Sequence, residues 1–147
     1  MNIKTLTPDL SVMPQVSQTD IAELARRGFK SIIGNRPDGE APDQPAWVAI
    51  AAAADAHGME ARHIPVVASQ IGDDDVAAFA ETLRELPTPI AAFCRTGTRS
   101  AILWALANLD SRSADERIGM AASQGYDLEP FRGRIEGSKA LPASKAD

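Results

Sequence analysis

Pro89-Ile90-Ala91-Ala92-Phe93-Cys94-Arg95-Thr96-Gly97-Thr98-Arg99-Ser100 reads as a buried strand, a tight loop and a helix start in immediate succession. The apolar run Ile90 to Phe93 is short, follows a proline and gives way to polar, glycine-containing sequence, the pattern of a strand buried in a parallel sheet. Ala101-Ile102-Leu103-Trp104-Ala105-Leu106 then predicts a strong helix with apolar residues on more than one face. Cys94 thus falls at the carboxyl end of a strand, the edge at which open α/β sheets bind ligands. Unpaired N–H groups in the following loop, backed by a helix dipole, make a concave site for an anion. A thiolate is an anion, and cations beside a helix amino terminus favour ionised sulfur.

Cys94 and Arg99 are therefore the candidate catalytic pair. Arg95, Thr96, Gly97, Thr98 and Ser100 are the candidate anion-binding residues. The Ser100 hydroxyl is expected to bond the sulfur, and Gly97 to supply either positive φ or a close backbone approach. The competing reading makes Cys94 a small apolar residue packed at a strand end. Arg95 and Arg99, so near in sequence, are poor core material and good holders of an oxyanion, because guanidinium offers a planar fork of donors.

Outward from this stretch, 147 residues are a single domain's length, enough to bury a core without disulfides or metal. A net charge of −5 with dispersed basic residues argues against a nucleic-acid surface. The lone cysteine excludes an internal disulfide, and His57 and His63 lack metal-ligand spacing, so no metal is expected, and chemistry at a cysteine sulfur needs no organic cofactor. The first residues, Met1 to Leu6, lack the apolar stretch of a signal peptide, and nothing downstream has the length of a membrane span. The expected location is the cytoplasm, whose reducing conditions suit a working thiol.

Along the chain, Leu10 to Met13 predicts a short strand closed by Pro14, at a sheet edge or a strand end, pairing with Ile3 to Leu6. Ser17-Gln18-Thr19-Asp20 resembles a capping box and opens a helix over about 19–27, stopped by Gly28. Phe29 to Gly34 predicts a strand. The loop 35–45 is long for a strand-to-helix connection and leaves the same sheet edge as the Cys94 loop. Its Arg36 and Asp38 either face the sulfur or belong to a solvated Pro-Asp-Gly turn.

Trp47 to His57 is an alanine-rich helix ended by Gly58, and Met59 to Val66 a strand in which Pro65 ends the ladder. His63 in that strand points into the site or is a hydrogen-bonded structural residue. Asp73 to Asp75 cap a helix running to Leu86, without a second cluster that would make them a metal site. A second capping box, Ser113 to Glu116, opens a helix to about 123, and 128–134 adds a short one. Alternating strands and helices predict an α/β domain over 1–136, with a mainly parallel sheet and right-handed crossovers, and a flexible tail over 137–147.

Val12-Met13-Pro14-Gln15, the Ser17 box, Gly28 to Ile33, Asn35-Arg36-Pro37-Asp38-Gly39-Glu40, His63-Ile64-Pro65-Val66 and Cys94 to Trp104 together resemble the phosphatase-like domain family of beta-lactamase-hydrolase-like proteins. It is a domain of unknown function, some of whose members are labelled sulfur transferases. The resemblance covers about 10–122 and implies a dual-specificity-phosphatase-like three-layer fold, a mainly parallel central sheet with flanking helices. It also implies an enzyme with a cysteine nucleophile.

The loop itself departs from the phosphatase pattern. Tyrosine and dual-specificity phosphatases carry five residues between cysteine and arginine and usually a histidine before the cysteine. Here four residues separate Cys94 from Arg99, and Phe93 precedes the cysteine. A loop of that length resembles those of rhodaneses, whose cysteine carries a persulfide. The matching region after Val66 also lacks the aspartate that such phosphatases use as general acid, leaving Asp38 or Asp73 to Asp75 as substitutes. The reading taken from the sequence is a sulfurtransferase passing sulfane sulfur through a Cys94 persulfide to a thiol acceptor. The alternative is a phosphatase with a Cys94 phosphocysteine held by Arg99. The third is an anion-binding or redox-sensing domain without turnover. In the first two the partner is a small anionic sulfur or phosphate substrate, with neither nucleic acid nor membrane involved.

Overall fold

The computed structural model describes residues 1–138. Five strands form one sheet in the order β1 (Lys4–Thr7), β2 (Leu10–Met13), β5 (Ile90–Phe93), β3 (Ser31–Gly34) and β4 (Glu60–His63). β1 runs antiparallel to β2; every other pair is parallel. One face is covered by α1 (Gln18–Arg26) and α2 (Trp47–Ala56), which pack Ile21, Leu24, Ile50 and Ala54 onto Ile32, Ala91 and Phe93. The other carries α3 (Asp73–Glu85), α4 (Thr98–Ala107), α5 (Ala114–Ser123) and α6 (Arg132–Gly137), packed on Val12, Ile33 and Ala92. This is the three-layer α/β architecture that the resemblance implies.

Side chains alternate between faces along a strand, so β5 turns Ala91 to one helical layer and Ala92 to the other. Two small residues there let helices approach from both sides. Every residue of α4 from Ser100 to Ala107 is buried, which explains why its sequence has no polar face. Among the described residues no helix is long and apolar enough to cross a membrane.

Two strands start later than their β-propensity predicts, for one reason. Gly28 and Gly58 adopt positive φ (97° and 75°) after α1 and α2, and the next N–H turns back into the helix: Phe29 N–H to the Leu24 carbonyl, Met59 N–H to that of Ala54. These are Schellman closures, and they withhold from the ladder the first residue of each expected strand. β4 stops at His63 because Pro65 brings no donor. β2 lies inside the sheet, so Pro14 marks a strand end and not an edge strand. The expected helix over 128–134 is a 3₁₀ turn (Glu129–Phe131) followed by α6, which runs one residue past the expected domain boundary at 136. From residue 139 on, the predicted tail lies outside the described residues.

The register sets the site. Met13 stands opposite Phe93, Phe93 opposite Gly34, and Gly34 opposite His63. Four parallel strands therefore end at one level, and the segments starting at Pro14, Cys94, Asn35 and Ile64 leave from a single edge.

Candidate active site

Cys94 is the first residue beyond β5, and it is buried. The chain turns at once: Gly97, at φ 98°, is the N-cap of α4, and its N–H donates to Cys94 Sγ at 3.0 Å. Positive φ is one reason for glycine here. Tyr126 is the other, because a Cβ on Gly97 would fall 2.2 Å from its hydroxyl oxygen. That hydroxyl donates to the Thr96 carbonyl at 3.1 Å, tying the loop to the segment after α5. The Arg95 carbonyl accepts from Gln15 N–H at 3.3 Å, tying it to the segment after β2. Burial, and then the charge of the nearby Cys94 sulfur, push the Tyr126 phenol above its ordinary value.

Arg99 lies in the first turn of α4 and reaches the loop after β3 and the segment after β4. Its NH1 and NH2 donate to the two oxygens of Glu40 at 2.8 and 2.9 Å, and NH1 also to the Val66 carbonyl at 3.0 Å. Glu40 chiefly, and Cys94 after it, strengthen the hold of Arg99 on its proton. Arg36 is buried and donates from Nε to the same Glu40 oxygen at 3.0 Å and from NH1 to Gln15 Oε1 at 3.2 Å. The Arg99 guanidinium first, and that of Arg36 second, hold the Glu40 carboxyl below the usual carboxylate range, with burial opposing them in part.

Beside the loop that follows Cys94 opens a cleft of about 530 Å³ lined by Arg36, Glu40, Ala41, Val67, Ala68, Arg95 and Arg99, with Cys94 itself buried and outside the lining. Arg36 and Arg95 of the expected set join Arg99 at its wall. Thr96 and Thr98 share a hydroxyl–hydroxyl hydrogen bond of 3.0 Å, bracing the loop from outside. Two expectations change. Ser100 does not give its hydroxyl to the sulfur; it donates to Asn35 Oδ1 at 2.7 Å, a fully buried bond. Asp38 accepts from Trp47 N–H at 2.8 Å and caps α2, whose own N-cap residue, Ala46, has no side-chain acceptor to offer. His63 stacks on Trp47 with ring centroids 4.8 Å apart and donates from Nε2 to the Arg36 carbonyl at 3.0 Å, a structural place. Asp75 accepts from Gly72 N–H, closing the start of α3. Among the described residues no three His, Cys, Asp or Glu side chains gather closely enough to hold a metal ion.

Three residues that matter here were not singled out by sequence reasoning. Glu40 was legible only as one carboxylate among several in a long loop. Asn35 gains its role by donating to the Ile64 carbonyl at 2.9 Å while accepting from Ser100. Its one signal was its place, the first residue after a buried strand. Tyr126 lies in a segment whose packing onto the loop no local pattern announces.

A family model described as Beta-lactamase hydrolase-like protein, phosphatase-like domain, matches residues 2–111. A Beta-lactamase hydrolase-like protein of Agrobacterium fabrum is 38% identical over 140 residues, 93% of this chain and 32% of that protein. The chain spans about a third of the length of the curated relatives it matches. A candidate phosphatase from Neisseria meningitidis, known by crystal structure, is 35% identical with a TM-score of 0.85, covering 95% of this chain and 99% of its own. The core catalytic domain of the PP-IP phosphatase Siw14 from S. cerevisiae shares the fold at 14% identity, with a TM-score of 0.73 over 95% of this chain and 86% of its own.

Proposed function

The chain belongs to the phosphatase-like domain family of beta-lactamase hydrolase-like proteins, and from that premise we propose that it is a cysteine-dependent phosphatase acting through Cys94. The observation that carries this reading is a sulfur at the carboxyl end of β5 receiving the N–H of the α4 N-cap at 3.0 Å, with Arg99 near enough for the sulfur to strengthen its hold on its proton. In the first step the Sγ thiolate attacks phosphorus and the bond to the leaving oxygen breaks, that oxygen taking its proton from solvent water. In the second, water attacks the phosphocysteine, releases inorganic phosphate and restores the thiolate. Loop N–H groups and the Arg99 guanidinium stabilise the negative charge that the equatorial oxygens carry in both transition states. A cytoplasmic location suits such a thiol.

Cys94→Ser should abolish hydrolysis of an aryl phosphate, and Arg99→Ala should lower kcat/KM by about 10²–10³-fold, the usual loss for a donor to transition-state charge. Hydrolysis that survives both changes would sink the reading.

One observation favours sulfur transfer as a second reading. The only carboxylate lining the cleft is Glu40, and both its oxygens are held by guanidinium groups. Sulfane transfer to a thiol acceptor asks for no general acid, and the four-residue spacing from Cys94 to Arg99 suits a single sulfur. Intact-protein mass spectrometry separates the two. A thiol-reversible gain of about one sulfur mass on Cys94 after thiosulfate, with no release of aryl alcohol from an aryl phosphate, would replace phosphatase by sulfurtransferase.

A further inference from the structure

Among the described residues, nearly every arginine answers a carboxylate. Arg26, Arg27, Arg36, Arg62, Arg84, Arg99, Arg112, Arg132 and Arg134 each stand 3.7 Å or less from an Asp or Glu oxygen. Arg117 is buried and donates to the Ala105, Ser113 and Ile135 carbonyls. Arg95 alone is exposed and forms neither an ion pair nor a side-chain hydrogen bond among these residues. It is also the residue directly after Cys94, and it lines the cleft.

The cleft wall sets three guanidinium groups against one carboxylate, on a chain whose net charge is −5. Arg36 and Arg99 share the single Glu40 carboxylate and keep one positive charge between them, and Arg95 adds a second that no side chain among the described residues answers. The walls facing it, Ala41, Val67 and Ala68, are small, and no aromatic side chain lines the cleft to hold a phenyl ring. A phosphoryl group on the Cys94 loop is answered by the loop N–H groups and Arg99. Arg95 is free to meet whatever negative charge the substrate carries beyond it, and guanidinium is suited to bidentate capture of a phosphate or carboxylate.

We propose that Arg95 recognises a second anionic group, so that the site selects small molecules carrying two anionic groups, such as a diphosphate or a carboxylated phosphate ester, over simple aryl phosphates. This rests on the phosphatase reading only for which bond is cleaved; the recognition itself is a binding property. The test therefore reads binding without turnover, as protection of Cys94 from iodoacetamide by pyrophosphate and by orthophosphate. Wild type, Arg95→Ala and Arg95→Lys are compared. Taking the ratio of the two protection constants within each protein cancels any change in thiol reactivity.

Wild type should favour pyrophosphate, and Arg95→Ala should lower that preference about tenfold, the scale of a charge-assisted bidentate contact. Its orthophosphate constant should change little, and Arg95→Lys should fall between. Equal constants in wild type, or a preference untouched by Arg95→Ala, would overturn the proposal. Failure of the two readings is separable. A protein that hydrolyses p-nitrophenyl phosphate but shows no Arg95-dependent preference retires this inference alone. One that hydrolyses no phosphate ester yet keeps the preference retires the phosphatase reading alone.

Discussion

Two loops leave neighbouring strands, β5 and β3, at the same edge of the sheet, and they hold their functional groups by opposite means. The Cys94 loop is short and closed by backbone: the N–H of Gly97 to the sulfur, the carbonyl of Thr96 to Tyr126, the carbonyl of Arg95 to Gln15. The loop after β3 is long, and side chains close it. Asn35 binds across to Ser100 and Ile64, Gln44 donates to the Pro37 carbonyl and accepts from Glu40 N–H, and Asp38 caps α2. A backbone-closed loop fixes Cys94 through main-chain geometry, which at Gly97 asks for both positive φ and the absence of a side chain. A side-chain-closed loop depends on particular carboxylates and amides, and it delivers Glu40 to Arg99 only while those contacts hold.

Gly97→Ala attacks the short loop where geometry alone decides. Positive φ and the clash with Tyr126 combine to a destabilisation of about 3–4 kcal/mol, read as the midpoint of urea unfolding. Adding Tyr126→Phe removes the hydroxyl and should recover part of that loss while the φ strain remains. Full stability in Gly97→Ala alone would mean that the loop is not fixed by its backbone.

Asn35→Ala attacks the long loop at its root, leaving the Ser100 hydroxyl and the Ile64 carbonyl without partners. The cost should be about 2–3 kcal/mol in the same experiment, from two orphaned buried groups. Asn35→Asp should behave differently: the oxygen facing Ser100 survives, and only the donation to Ile64 is lost.

Glu40→Gln tests the ion pair between the loops. The folded carboxyl lies below its ordinary value of 4.5, held there chiefly by Arg99. Its contribution to stability is therefore complete above pH 4.5 and is lost as pH falls through the lower folded value. Wild type should exceed Glu40→Gln by about 1 kcal/mol near neutrality, a modest figure because the carboxylate keeps some solvent exposure. The two should draw together in thermal melts as pH falls below 4.5 and converge only once it is below the lowered folded value. A gap that stays constant into acid would show that packing, not charge, carries the difference.

Asp38→Ala should do least, costing about 0.5–1 kcal/mol as a lost helix cap. Activity per folded molecule should be unchanged. A large drop in kcat with intact stability would instead give Asp38 the proton-donating role that the sequence left open.

The elements were legible because their signals are local. Ser17 with Asp20 and Ser113 with Glu116 form the capping boxes that their spacing predicts, and Ile90 to Phe93 is a strand buried within the sheet. What failed was local competition between a helix end and a strand start, as at Phe29 and Met59, where the closing glycine's hydrogen bond outranks β-propensity. Within the site, Cys94, Arg99 and Gly97 are one turn of chain and could be read together. Ser100, expected to bond the sulfur, bonds Asn35 instead, an acceptor too far away in sequence to be read as its partner.

By itself, then, the sequence determined the α/β alternation, the strand–loop–helix unit that puts Cys94 at the carboxyl edge of the sheet, and the family. Period, caps and turn residues act over a few positions, and the chain displays them directly. Only tertiary structure decided which carboxylate meets Arg99, what Ser100 and Asp38 bind, and why Gly97 must face Tyr126. Those pairings depend on parallel register, which aligns Met13, Phe93, Gly34 and His63 and so chooses which distant loops share one edge. Arg95 belongs to both accounts. Its position beside Cys94 is sequence, and its lack of a partner among the described residues emerges only when the other arginines have found carboxylates or, for Arg117, backbone carbonyls.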